Sequence, residues 1–260
     1  MLNVMYHYVG GREDLKGISI KNFNYQLDKL TQKYKTSEFS LTFDHGTIDH
    51  YTNVAPELDK RGIKSFFFIL SMIPEEKKMP IEDKQRRLEV LYRKELAKML
   101  CKNLNIQYNP SVSKNYLNRF NFYSLEERYL RYLRDKQISL SNYKSFIDNL
   151  FSKEFGKEAS FAEKNYMSWE NISDLNNRGH TIGSHSHYHI GNKEDYSKSI
   201  ELIKKKINKK VKCISYPNGK KNISDEDLID LGIETAYTTE PKKSSGSFQT
   251  TRVDCNQLNL

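Results

Sequence analysis

The sequence predicts an α/β chain built on a parallel sheet or barrel and interrupted by a long helical insertion. Three observations predict it. Short β-prone runs alternate with amphipathic helical stretches towards both ends of the chain. Glycines fall just past those helical stretches, where helices commonly end. Between residues 74 and 165 the alternation stops and only helical spacing remains.

The first strand runs from Leu2 to His7. Phe39–Phe43 is a second β-prone run, ending at Asp44-His45-Gly46, and a helix from roughly Asn53 to Arg61 is stopped by Gly62. Ile63–Leu70, with Phe66-Phe67-Phe68, reads as an apolar run, interrupted only at Lys64 and Ser65, like those buried in parallel sheets. Ser168 caps a helix from Trp169 to Asn177, Gly179 ends it, and His180–Ser184 is the next strand. Lys193–Asn208 is helical, Val211–Tyr216 is strand, Ser224–Leu231 is a helix ended by Gly232, and Glu234–Thr238 is strand. Inside the insertion Leu88, Leu91, Tyr92, Leu96, Met99 and Leu100 recur at helical spacing. Ser124-Leu125-Glu126-Glu127 is a capping-box pattern, and a third helix covers Ser141–Lys153. The expected division is therefore 1–73 with 166–260 as one domain and 74–165 as an inserted helical subdomain. The insertion holds no His, and its acids are interleaved with Lys and Arg as on solvated helices. A lid, a substrate wall, an oligomer contact or plain structural decoration are the roles open to it.

The 260 residues carry 42 Lys+Arg against 33 Asp+Glu, a formal charge of +9. The positive charge is spread over short runs, among them Lys204 to Lys206 opposite Ile200, Ile203 and Ile207, so a solvated helix face explains it better than a nucleic-acid stripe. No nucleic-acid partner is expected. No apolar run approaches the roughly 20 residues of a membrane span. With 17 Tyr and 13 Phe the chain is too aromatic for a disordered one. Cys101, Cys213 and Cys255 show no CxxC spacing, which argues against a disulfide framework or a Cys-based zinc site. The start, MLNVMYHYVGG, lacks the features of a signal peptide, and a cytoplasmic location is the expectation. Lys243-Ser244-Ser245-Gly246-Ser247 reads as a mobile loop.

Three local motifs carry chemistry. Gly183-Ser184-His185-Ser186-His187-Tyr188-His189 puts three histidines into five residues after a strand, the raw material of a zinc site. A surface His cluster accounts for the spacing equally well, and His187 is a bystander if His185 and His189 converge. Leu41-Thr42-Phe43-Asp44-His45-Gly46 delivers an acid and an imidazole at a strand's C-terminal end, where α/β sheets and barrels place their sites. Alone, Asp44 is better read as capping the following turn. Ile214-Ser215-Tyr216-Pro217-Asn218-Gly219 is first a turn, and second a loop able to present a backbone N–H to an oxyanion.

Together these motifs resemble the polysaccharide deacetylase superfamily (NodB-homology, carbohydrate esterase family 4). Thr42-Phe43-Asp44-His45-Gly46 resembles its Thr-Phe-Asp-Asp-Gly, His185 to His189 its His-Ser/Thr-x-x-His, and Tyr216-Pro217-Asn218-Gly219 its Arg-x-Pro-Tyr loop in an Arg-lacking form. The resemblance covers roughly residues 1–74 and 166–260. It implies a deformed, often incompletely closed (β/α) barrel of about seven strands and a metal-dependent hydrolase that removes N-acetyl groups from a sugar or glycan. Asp44 is then the general base, His185 and His189 hold a divalent metal, most readily Zn2+, and the Asn218 N–H joins it in stabilising the oxyanion. The family's C-terminal Leu-x-His is not seen. Met5-Tyr6-His7-Tyr8 is instead similar to the N-terminal Tyr-His of a permuted branch, which makes His7 the catalytic acid. Arg252 steadies Asp44, or is an ordinary surface arginine.

His45 stands where the family has a metal-binding Asp. Three readings compete: His45 ligates; the metal rests on two His with waters or Asp49; or the protein is an impaired descendant. The substrate expected is an N-acetylated saccharide, such as a surface polysaccharide or its precursor. The alternatives are a non-catalytic glycan-binding module of the same fold and an O-acetyl esterase.

Overall fold

A computed structural model describes residues 1–10, 15, 17–118, 123–240 and 248–258. The run at 243–247, expected to be a loop, lies outside the described residues. In chain order the elements are β1 (Leu2–Tyr6), α1 (Ile20–Lys33), β2 (Phe39–His45), a π-helical turn (His50–Val54), α2 (Ala55–Lys60), β3 (Phe66–Ile69) and α3 (Met72–Glu76). The insertion contributes α4 (Ile81–Tyr92), α5 (Glu95–Asn103), α6 (Leu125–Tyr132), α7 (Leu140–Phe155) and α8 (Glu158–Asn165). Then follow α9 (Trp169–Asn177), β4 (Thr181–Ser184), α10 (Lys193–Ile207), β5 (Cys213–Ser215), α11 (Asp225–Asp230), β6 (Thr235–Thr238), β7 (Gln249–Thr251) and β8 (Val253–Asp254). The chain divides into two compact units, one of Met1–Lys78 with Ala162–Leu260 and one of Met79–Phe161.

In the first unit all eight strands pair in parallel, in the order β7-β6-β5-β4-β3-β2-β1-β8. The two end strands are neighbours in sequence, broken only at Arg252. Gln249–Thr251 pairs with β6 while Val253–Asp254 pairs with β1, so one short stretch brings the two edges together. The sheet thereby curls into a nearly closed barrel with helices around it.

Burial explains the strands. All seven residues of β2 are buried, as a strand covered on both faces requires. Tyr6, Phe43 and Phe67, from three adjacent strands, stack with centroids 5.1 and 5.0 Å apart. Ser19 caps α1, whose Phe23, Leu27 and Leu30 are fully buried on one stripe.

Strand β3 and the helix after β2 are among the elements that depart from their expected bounds, each for a local reason. Strand β3 starts at Phe66 rather than Ile63. The Ile63 N–H is committed to the Leu58 carbonyl at the end of α2, with Gly62 in left-handed conformation beside it. The helix expected from Asn53 begins as a π-helical turn and becomes α-helical only at Ala55, next to Pro56, which has no N–H to donate.

The second unit has its own core, including Leu88, Leu96, Leu100, Leu130, Leu133, Ile147 and Phe151. Ser124 and Glu127 form the capping box that opens α6. A buried Arg131–Glu89 pair, at 2.6 and 3.0 Å, ties α6 to α4. Among the described residues no helix is long and apolar enough to cross a membrane.

Candidate active site

The site lies at the C-terminal ends of β1, β2, β4 and β5. Strand β2 ends by delivering Asp44 and His45, both buried, and the chain then turns sharply through two left-handed residues, His45 (φ 72°) and Gly46 (φ 77°). Gly46 tolerates this at no steric cost, whereas His45 carries some strain of the kind that gathers at functional sites.

His185 follows β4 and extends its pairing, its N–H donating to the Ile69 carbonyl. Its ring orientation follows from its neighbours. Nδ1 lies 3.1 Å from the Ser215 carbonyl oxygen and 2.6 Å from Ser215 Oγ. A carbonyl oxygen can only accept, so the network assigns the proton to Nδ1 and leaves the Nε2 lone pair bare. Burial holds the pKa of His185 well below its ordinary value, against the pull of the Asp44 carboxylate, so the ring is neutral.

His189, in left-handed conformation (φ 64°), completes a nearly equilateral set. Ring centroids are 5.0 Å apart for His45–His185, 5.2 Å for His45–His189 and 5.1 Å for His185–His189. One nitrogen from each ring lies within 4.8 Å of the others. Three converging imidazoles, one with its other nitrogen already held by a hydrogen-bond acceptor, are a donor set that a divalent ion of the zinc type fits. His45, His185 and His189 are thus the residues that could hold a metal. Asp49 is engaged elsewhere: its Oδ2 accepts from the Val9 N–H at 2.5 Å.

Asp44 sits beside this triangle in a buried ion pair. Its Oδ1 accepts from Arg252 Nη1 at 2.7 Å and from Ser215 Oγ at 3.1 Å. Arg252 is no surface residue, being 4% exposed. It projects from the break between β7 and β8, and its backbone N–H donates to the Thr238 carbonyl. Burial alone would raise the pKa of Asp44, but Arg252 first, then His185, hold its carboxyl far below the usual range.

His7 follows β1, its ring 5.4 Å from that of His45. Its carbonyl accepts from His50 Nε2 at 2.8 Å and from Thr47 Oγ1 at 3.4 Å, so the turn after β2 fixes the end of β1. Asn218 occupies the turn Pro217–Gly219 after β5 in left-handed conformation, its side chain exposed. The structure therefore brings together His7, Asp44, His45, His185, His189 and Arg252, of which His7 and His189 are half-buried and the rest buried.

His187 faces away, with Nδ1 2.8 Å from Ser71 Oγ and Nε2 2.8 Å from Glu76 Oε1. Three contributors were not read from the sequence: Ser215, His50 and Asp195, whose carboxylate accepts from backbone N–H groups on either side of His189. Only Ser215 left a trace there, as a polar residue in an otherwise apolar strand.

A scan against protein-family models and a search of the curated proteins each find no match. Solved structures share the fold. The Streptococcus pyogenes deacetylase PplD in complex with acetate matches with a TM-score of 0.56 at 13% identity, over 98% of this chain and 91% of that one. IcaB from Ammonifex degensii matches at 0.55 and 17%, over 97% and 90%. A de-N-acetylase from Aggregatibacter actinomycetemcomitans matches at 0.57 and 13%, over 99% and 96%.

Proposed function

We propose that the protein is a metal-dependent deacetylase that hydrolyses N-acetyl groups on a sugar or glycan. The observation that carries this reading is the convergence of the three imidazoles on the Asp44–Arg252 pair at one end of a barrel. The fold shared with a deacetylase studied with acetate and with a de-N-acetylase supports it.

His45, His185 and His189 would hold the ion. When bound, such an ion polarises the acetyl carbonyl and acidifies a water. The chain's own groups do the rest. Asp44 takes the proton of the attacking water on its free oxygen, while Arg252 and Ser215 hold the other oxygen and keep the carboxylate aimed. Water adds to the carbonyl carbon, the C–N bond breaks, and His7 supplies a proton to the departing amine. Acetate and a free amino sugar result. A backbone N–H of the Pro217–Gly219 turn, that of Asn218, is assigned to the developing oxyanion.

Acetate release from a panel of N-acetylated saccharides, with and without a chelator, tests this. Release that stops with chelator and returns with added zinc is expected. Asp44→Asn should nearly abolish release while retaining metal. An Asp44→Asn variant as active as the wild type would remove the general-base assignment. The presence of His45 in place of the expected Asp favours one rival, a glycan-binding module without activity. Saccharide binding with no acetate release would select that rival.

A further inference from the structure

The loop that carries His185 and His189 is held by almost nothing apolar. Tyr188 and Ile190, its two large apolar residues, are 44% and 55% exposed. Ser186 (φ 68°) and His189 (φ 64°) have left-handed backbone that non-glycine residues disfavour, so the loop does not adopt this path by preference. Polar contacts hold it instead, and one carboxylate collects four of its backbone N–H groups. Asp195 Oδ1 accepts from the N–H groups of His187 at 3.1 Å and Tyr188 at 2.6 Å. Its Oδ2 accepts from those of Ile190 and Gly191, both at 2.9 Å. The two oxygens therefore straddle His189, gripping the chain just before and just after it. The His189 N–H itself is taken by Ser186 Oγ at 3.0 Å.

Asp195 can do this because its own position is fixed. It is 5% exposed, at the third position of α10, with its N–H capped by Asn192 Oδ1. The helix is tied to the sheet by Tyr196, whose hydroxyl donates to the Ser215 carbonyl, and by Ser199, which pairs with Ser184 Oγ. That places Asp195 on a rigid element, and the donors it collects are main-chain groups that would otherwise be unsatisfied beside the site.

We propose that Asp195 is a positioning residue that presets the His185–His189 loop for metal before any metal binds; this rests on the metal reading of the three-histidine cluster. It touches no ligand ring and acts only through the backbone. The second anchor of the loop, Glu76 through His187, grips one side of His189 only and matters less to it.

The test uses the full chain. Hydrogen exchange of the segment 185–191 is followed in metal-free protein, and Co2+ binding is titrated by its visible spectrum, with Zn2+ in competition. Asp195→Asn keeps the shape but swaps one acceptor oxygen for an amide donor; Asp195→Ala removes both oxygens. Both should speed loop exchange at least tenfold and weaken Co2+ about ten- to hundredfold, as loss of a group that orients ligands does. Glu76→Gln should stay within about threefold of wild type, on that same scale. Wild-type exchange or wild-type Co2+ affinity in Asp195→Asn overturns the inference. So does loss of the helical circular-dichroism signal in Asp195→Asn, which would make the residue a general fold determinant. A wild-type chain that binds neither ion fails at the first titration, and overturns the metal reading along with this one.

Discussion

Arg252 and Asp44 form an ion pair whose side chains are 1% and 2% exposed. Removing one partner strands a charge out of water, which typically costs about 3–5 kcal/mol, whereas removing both leaves no stranded charge. Arg252→Met should therefore lose stability of that order in urea unfolding. Adding Asp44→Asn should recover part of it, with a coupling of about 1–3 kcal/mol. Strictly additive losses would show that the pair does not act as one unit. His45 is the sharper case. A carboxylate in its place also donates to metal, so His45→Asp should keep metal while His45→Ala weakens binding by orders of magnitude. Co2+ titration of the two variants decides, and an unaffected His45→Ala would remove His45 from the ligand set. At this scale the candidate residues were visible wherever a motif framed them, as at Asp44, His185 and His189. Asp195 was invisible because it works on backbone N–H groups, which leave no pattern in side-chain type.

Among the elements, the strands that enclose the barrel differ in how plainly the sequence announces them. Strand β3 is an apolar run with three phenylalanines, and its burial follows directly. Strands β7 and β8 have three and two residues, all half-buried, and neither alternation nor an apolar run marks them. They are set by pairing with β6 and β1, a long-range condition no local window contains. Helix α1 likewise passed unread, although Ser19 and the Phe23, Leu27, Leu30 stripe were there to be found. Strand β4 gives the prediction at this scale. A Cβ at Gly183 would meet two Phe68 ring atoms at 2.5 Å and the Cys213 carbonyl at 2.9 Å. The backbone oxygen cannot move aside without breaking the sheet, so Gly183→Ala should cost about 1–3 kcal/mol by overpacking. Because His185 follows two residues later, metal affinity should fall with it. Denaturant unfolding at wild-type stability would mean that β3 and β5 are freer to part than their packing implies.

At the scale of the whole molecule, alternation announces a parallel sheet or barrel, while the two strands that bring its edges together, β7 and β8, leave no local mark. What the alternation also missed is how the loops above the strands are tied together by charge. Glu76, at the end of α3, accepts from His187 Nε2 at 2.8 Å, from Tyr188 at 3.2 Å and from Lys198 at 3.2 Å. The bond from His187 comes first in lowering its pKa from 4.5 to about 2, against a smaller opposing effect of burial, with Lys198 and Tyr188 adding to the drop. A carboxyl with a depressed folded pKa binds its proton more readily in the unfolded chain. Its contribution is therefore fully present above the unfolded value and is lost as pH falls through the folded one. For Glu76 that window runs from about 4.5 down to about 2. Glu76→Gln cannot titrate, so its disadvantage against the wild type should be constant above pH 5 and shrink steadily towards pH 2. Urea unfolding of both proteins at half-unit steps across this range measures it. A gap that stays the same at pH 2 as at pH 6 would mean that Glu76 is held no more tightly in the folded chain than in the unfolded one.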